Sequence, residues 1–146
     1  MVFSSLAEIE HLIRSSWSAE TCDPVDLALW SPETPARGQC GVTALVVQDL
    51  LGGELLMAEV RHADGARQGV HYWNRLAGGV ELDLTREQFT RSEVIDTPNV
   101  VARPSDPSAG RLAAQYRALA SAVRTRCAAM LAAEAAAVRM STSSQL

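Results

Sequence analysis

The sequence predicts an α+β domain: a buried helix packed on a small antiparallel sheet, with a long helix at the C-terminal end. Three observations carry this expectation. Val42, Leu45, Val46, Val47, Leu50 and Leu51 leave the run after Cys40 almost no polar face, the mark of a helix inside a domain. Residues 54–84 then hold three successive strand-like segments separated by glycine-bearing turns. From Ser108 to about Met140 the chain is alanine-rich and strongly helix-prone. With 146 residues the chain is long enough for one cored domain without staples. We place that domain at residues 1–140 and expect 141–146 to fray.

Taken in order, residues 4–16 read as an amphipathic helix with Leu6, Ile9, Leu12 and Ile13 on one stripe. Ser5 and Glu8 have capping-box spacing, and His11 falls off the stripe as a solvated residue. Trp17–Gln39 is irregular, broken by Pro24, Pro32 and Pro35, and leads directly into Cys40. Gly52-Gly53 supplies the left-handed stop of the buried helix. Strands are expected over Glu54–Arg61, Gly69–Leu76 and Val80–Leu84, with Asp64-Gly65 and Ala77–Gly79 as turns. Thr85 and Gln88 have capping-box spacing for one helical turn. Residues 91–107 read as a loop with a short extended piece at Val100–Arg103. Leu112, Tyr116, Leu119 and Val123 should dock the last helix on the domain.

Composition narrows the function classes. The apolar fraction of 47% and charged fraction of 21% are ordinary for a soluble globular protein. A net charge of −4 argues against nucleic acid or an anionic membrane as the main partner. Cys22, Cys40 and Cys127 are odd in number and widely spaced, which fits neither a disulfide framework nor a zinc site. Met1–Ser5 lacks a basic region followed by an apolar run, so no signal peptide is expected, and no apolar run approaches spanning length. The expected location is the reducing cytoplasm, where a free thiol persists. No cofactor is implied.

Chemistry concentrates at Cys40, His71 and Asp83. A thiol on the first turn of a helix faces unsatisfied amide groups and the positive end of the dipole, which favour thiolate over thiol. A cysteine nucleophile needs a histidine in reach, and that histidine needs an acceptor to fix its tautomer. If the hairpin loop is residues 77–79, Leu76 pairs with Val80, Asn74 with Leu82 and Trp73 with Asp83. His71 and Asp83 are then diagonal neighbours on one face, roughly 7–8 Å apart at the backbone. If the loop is only Gly78-Gly79, side-chain parity flips and Asn74 becomes the third member. Gln39 either donates its amide to an oxyanion beside the Cys40 backbone amide or ties down the entering loop. Each residue also has a plainer reading: Cys40 as a small buried hydrophobe, His71 as a satisfied core residue, Asp83 as a capping carboxylate. Trp17, Trp30 and Trp73 either pack the core or line an apolar substrate pocket with Asn74.

The segments Pro35–Ala44, His71–Leu76 and Asp83–Phe89 together resemble the small bacterial YunG-like proteins, over roughly residues 12–120. More broadly, cysteine on a buried helix followed by histidine and aspartate on consecutive antiparallel strands resembles the papain-like superfamily, in its transglutaminase and arylamine N-acetyltransferase branch. That resemblance implies a papain-like, transglutaminase-like core and makes Cys40, His71 and Asp83 the matching catalytic candidates. It implies no substrate. The resulting expectation is a compact cysteine hydrolase or acyltransferase acting on a small-molecule, amide or peptide substrate through a thioester. The competing expectation is a non-catalytic binding protein on the same scaffold. A third, a metal enzyme using Cys40, His62, His71 and Asp83, lacks compact ligand spacing. The alanine-rich helix can also pack against a second copy, giving a homodimer.

Overall fold

The computed structural model describes residues 3–144. Helix α1 spans Leu6–Arg14 and buries Ile9, Leu12 and Ile13. Ser5 Oγ accepts from the Glu8 N–H, but the Glu8 carboxylate turns to the Ser4 N–H at 2.7 Å rather than back to Ser5. The box is thus closed one residue earlier than its sequence spacing implies. Inside the irregular stretch Trp17–Gln39, a 3-10 turn forms at Pro24–Leu29, where proline fits the first position and the Asp23 carboxylate accepts from the Val25 N–H.

Helix α2 spans Cys40–Leu51 and buries Val42, Thr43, Ala44, Val46 and Val47. It stops at Gly52, whose φ of 70° lies in the region that disfavours side chains. The chain then enters β1 (Glu54–Arg61) and β2 (Arg67–Arg75), followed by β3 (Glu81–Leu82), β4 (Val94–Ile95) and β5 (Asn99–Val101). Strand β1 is central: β2 lies antiparallel along one edge and β4 and β5 share the other, with β3 beyond β2. Asn74 pairs with Leu82 and Arg75 with Glu81, and the Leu76 N–H bonds the Val80 carbonyl at 2.7 Å. This is the register of the three-residue loop 77–79.

The third strand is shorter than its hydropathy predicts, because Val80 is exposed and the Asp83 side chain is drawn out of the ladder into a turn with Thr85. The last helix, α3, spans Ala113–Ser143 and not Ser108 onward. The Asp106 carboxylate accepts from the Ser108 N–H, building a separate 3-10 turn at Pro107–Ala109, and Gly110 is extended before the helix restarts. Ser141–Ser143 are helical rather than frayed, with Ser141 and Thr142 hydroxyls bonded back to the Val138 carbonyl. Gln145 and Leu146 of the expected tail lie outside the described residues.

The main core joins α1, α2 and α3 through Leu12, Ile13, Val42, Val46, Val47, Leu119 and Val123, with Trp17 and Leu84. A smaller cluster of Leu56, Ala58 and Trp73 lies on the sheet. Strand parity places it on the same face as His71, which pairs with Ala58 across the ladder. The last turns of α3, from Leu131 on, are exposed. No helix among the described residues is long and apolar enough to cross a membrane.

Candidate functional site

His71 sits mid-way along β2 with no exposed surface, sandwiched between two rings. Trp73 stacks on it at 5.2 Å between centroids, and Phe89 meets it edge-on at 4.8 Å. Such walls leave the imidazole little rotational freedom. Its Nε2 lies 2.7 Å from Asp83 Oδ2, so Nε2–H donates to the carboxylate. The other Asp83 oxygen accepts from the Thr85 N–H at 3.2 Å and from the Thr85 hydroxyl at 3.4 Å. Thr85 therefore does not cap the 3-10 turn Arg86–Gln88 with its side chain; it anchors the carboxylate instead.

With Nε2 committed, Nδ1 is the nitrogen left for chemistry, and Gln88 Nε2 stands 3.3 Å from it. Burial pushes the His71 imidazolium down, but the hydrogen bond to the Asp83 carboxylate and the neighbouring Cys40 side chain outweigh it and raise His71 to about 9. Cys40 opens α2, half-buried, with its thiol acting on the same ring. A cavity of about 320 Å³ lies in front of it. Cys40, Gly41, Tyr72, Gln88, Phe89 and Arg111 belong to its wall. Across it, Arg111 forks onto both Asp23 carboxylate oxygens at 2.9 and 2.7 Å, joining the loop before α2 to the loop before α3. That guanidinium holds the Asp23 carboxyl below the usual range despite partial burial. Arg37 pairs with Asp26 on the same side.

Several expected site residues fall elsewhere. Gln39 is fully buried; its Oε1 accepts from the Thr21 hydroxyl at 2.8 Å and its Nε2 donates to the Ser18 carbonyl at 3.1 Å. Its amide ties down the entering loop and is corrected from oxyanion donor to loop anchor. Asn74 is buried and donates to the Ala44 carbonyl of α2 at 2.9 Å, so it fastens β2 to the helix and is not the acceptor beside His71. None of the three tryptophans lines the cavity. Trp17 Nε1 donates to Thr43 Oγ1, Trp30 Nε1 to the Pro35 carbonyl, and Trp73 Nε1 to the Glu81 carboxylate. Each indole is spent on structure. Among the described residues no three His, Cys, Asp or Glu side chains cluster as a metal site, and His62 is exposed.

The buried Cys22 thiol is pushed up to about 11 by burial and by Asp26 and Asp23, with Arg37 opposing, which makes it a poor nucleophile at neutral pH. Gln88 was the residue that sequence reasoning missed as a site group. Its only local signal was the spacing to Thr85, which pointed to capping.

The His71 shift gives a stability prediction. A folded-state value near 9 against 6.5 for a free imidazole means that the folded protein binds the proton more tightly. The stabilisation is complete below about 6.5 and is lost as pH rises through about 9. Thermal melts across this window should show the midpoint falling in the wild type. In His71→Gln the fall should be absent or much reduced.

The elements and the cluster define an α+β protein with a cysteine on a cavity wall and a buried histidine–aspartate pair behind it, joined to that wall through Gln88. Residues 5–128 match the YunG protein family, and the chain belongs to that family. It is 34% identical over 84 residues to the protein described as "Uncharacterized protein YunG" of Bacillus subtilis (strain 168), a match spanning 58% of this chain and 63% of that relative. The aligned region thus covers less than two thirds of the relative's length. No solved structure matches this chain.

Proposed function

We propose that this protein is a cysteine-dependent acyl-transfer or amide-hydrolysing enzyme of papain-like, transglutaminase-like type, working in a reducing compartment such as the cytoplasm. One observation carries the reading. The His71 Nε2–Asp83 bond at 2.7 Å commits that nitrogen and leaves Nδ1 toward Gln88, a residue of the Cys40 cavity wall. The Cys40 thiolate attacks a carbonyl carbon; the S–C bond forms and the carbonyl π pair moves onto oxygen. The Cys40 backbone N–H, which at the helix start has no intrahelical acceptor, and the Gln88 amide on the cavity wall receive that oxyanion. Collapse breaks the bond to the leaving amine, which takes the Nδ1 proton from His71, and a thioester remains. Water then gives a proton to Nδ1 and attacks the thioester; the C–S bond breaks and the thiolate–imidazolium pair is restored. An amine in place of water makes the same cycle a transfer.

The test is the rate of Cys40 alkylation by iodoacetamide against pH, resolved by peptide mass spectrometry, in the wild type and His71→Ala. The wild type should react well below the range of a free thiol, which titrates near about 8.5, and His71→Ala should lose that low-pH reactivity. Equal profiles in the two proteins, or a Cys40 that resists labelling, would overturn the enzyme reading and leave a binding protein.

A further inference from the structure

A second cavity of about 330 Å³ adjoins the first. It lies between α2 and the sheet, beneath the segment 102–112, and shares Gly41, Tyr72, Arg111 and Leu112 with the Cys40 cavity. The chemistry of the two differs. The first has Asp23, Asp26, Arg37, Arg67 and Arg111 around it. The second has Leu45, Leu55, Val101, Pro104, Pro107 and Leu112 in its wall, and Arg111, already forked onto Asp23, is its sole charged lining residue among those described. Between them the partition is thin. A Cβ on Gly41 would stand 3.3 Å from Leu112 Cδ1, so the glycine next to the nucleophile is what lets Leu112 close against the helix start.

We infer that the second cavity is the substrate's apolar subsite, and that the natural acyl donor carries an aromatic or branched aliphatic group beside the carbonyl that Cys40 attacks. The inference rests on the cysteine reading above and adds the substrate class to it. The volume fits: an apolar cavity of roughly 150 Å³ already takes up benzene, and this one is larger and open-sided, as a binding site must be to admit its ligand. The polarity fits too, because a pocket without free charges rewards apolar area and offers little to a charged group. Placement is the third argument. The two cavities meet at Gly41 and Leu112, and Gly41 is the residue next to Cys40 in the chain.

The experiment compares two alkylating probes with the same reactive head, iodoacetamide and N-benzyliodoacetamide, each corrected for its rate with glutathione. In both, the Cys40 sulfur displaces iodide from the methylene carbon, so the only difference is the benzyl group. The wild type should prefer the benzyl probe by roughly tenfold or more, the effect of burying one ring. Ala102→Trp, at the exposed rim of the second cavity, should bring the preference close to one while leaving the iodoacetamide rate within about twofold of the wild type. Val101→Phe, half-buried on β5, fills the cavity from the sheet side and should do the same. His71-dependent labelling by iodoacetamide with no benzyl preference, or a preference that both variants keep, overturns the subsite and leaves the cysteine reading intact. Absence of His71-dependent labelling with either probe overturns both.

Discussion

Asp83→Asn should slow alkylation of Cys40 at pH 7 by roughly tenfold, about as far as removing His71 itself, since a free cysteine is only a few per cent thiolate at that pH. The argument is one of donors and acceptors. Both Asp83 oxygens accept: one from His71 Nε2, the other from the Thr85 N–H and hydroxyl. An asparagine offers one acceptor and one donor, so in either orientation an N–H faces a backbone or imidazole N–H in a partly buried place. If its oxygen turns to Thr85, its NH₂ confronts Nε2 and drives the proton to Nδ1, the nitrogen that must receive protons in catalysis. If its oxygen turns to His71, the tautomer survives but the charge that helps hold His71 near 9 is gone. Both routes lower the imidazolium population. The fall in melting temperature between pH 6.5 and 9 should flatten in the same variant. An Asp83→Asn protein that alkylates at the wild-type rate would remove the carboxylate from the mechanism.

Gly38→Ala should cost about 2–4 kcal/mol of stability, a drop of roughly 5–10 °C in melting temperature for a chain of this size. Two penalties add. Gly38 has φ near +70°, and its Cβ would stand 2.5 Å from Cys22 Sγ and 2.9 Å from Asp26 Cβ. Neither neighbour yields easily. The Cys22 sulfur is itself held 3.3 Å from the Arg37 carbonyl, and Asp26 is fixed by Arg37. Gly65 is the control, because it has φ near +85° with open space around its Cβ position. Gly65→Ala should therefore lose only about 1 kcal/mol from backbone strain. Because Gly38 lies two residues before Cys40, folded Gly38→Ala protein should also show altered Cys40 reactivity. Matched losses in the two alanine variants would mean that close packing at Gly38 contributes nothing.

The YunG resemblance, the α+β class and the order of the two main helices and the first three strands are readable in the sequence, whereas β4 and the 3-10 turns at Pro24–Leu29 and Pro107–Ala109 are not. Glu54–Arg61 forms a strand at its predicted limits, and α2 begins at Cys40 and ends at the glycine pair. These features are local. Alternation of side chains, apolar runs and glycine stops act over a few residues, so composition at short range is enough to specify them. The hairpin offered two registers, and the distinction hung on whether Ala77 joins the loop; the Leu76–Val80 bond settles it.

What the sequence did not determine is the destination of each polar side chain. Gln39, Thr85, Gln88 and Asn74 carry amides or hydroxyls that fit several local roles equally well. Gln39 finds its partners at Ser18 and Thr21, Asn74 at Ala44, and Gln88 at His71, across separations of 17 to 30 residues. Likewise the sequence leaves the tryptophans as core residues or as walls of a site, and their N–H groups are claimed by Thr43, Pro35 and Glu81 once the chain closes. A buried donor or acceptor must be paired, and which partner is within 3 Å depends on how distant segments pack. The sequence itself determined where α2 and β1 start and that a thiol, an imidazole and a carboxylate occur in order. Only the tertiary structure decided which polar groups serve the cavity and which hold the chain together, because that choice is made by contacts that no local pattern encodes.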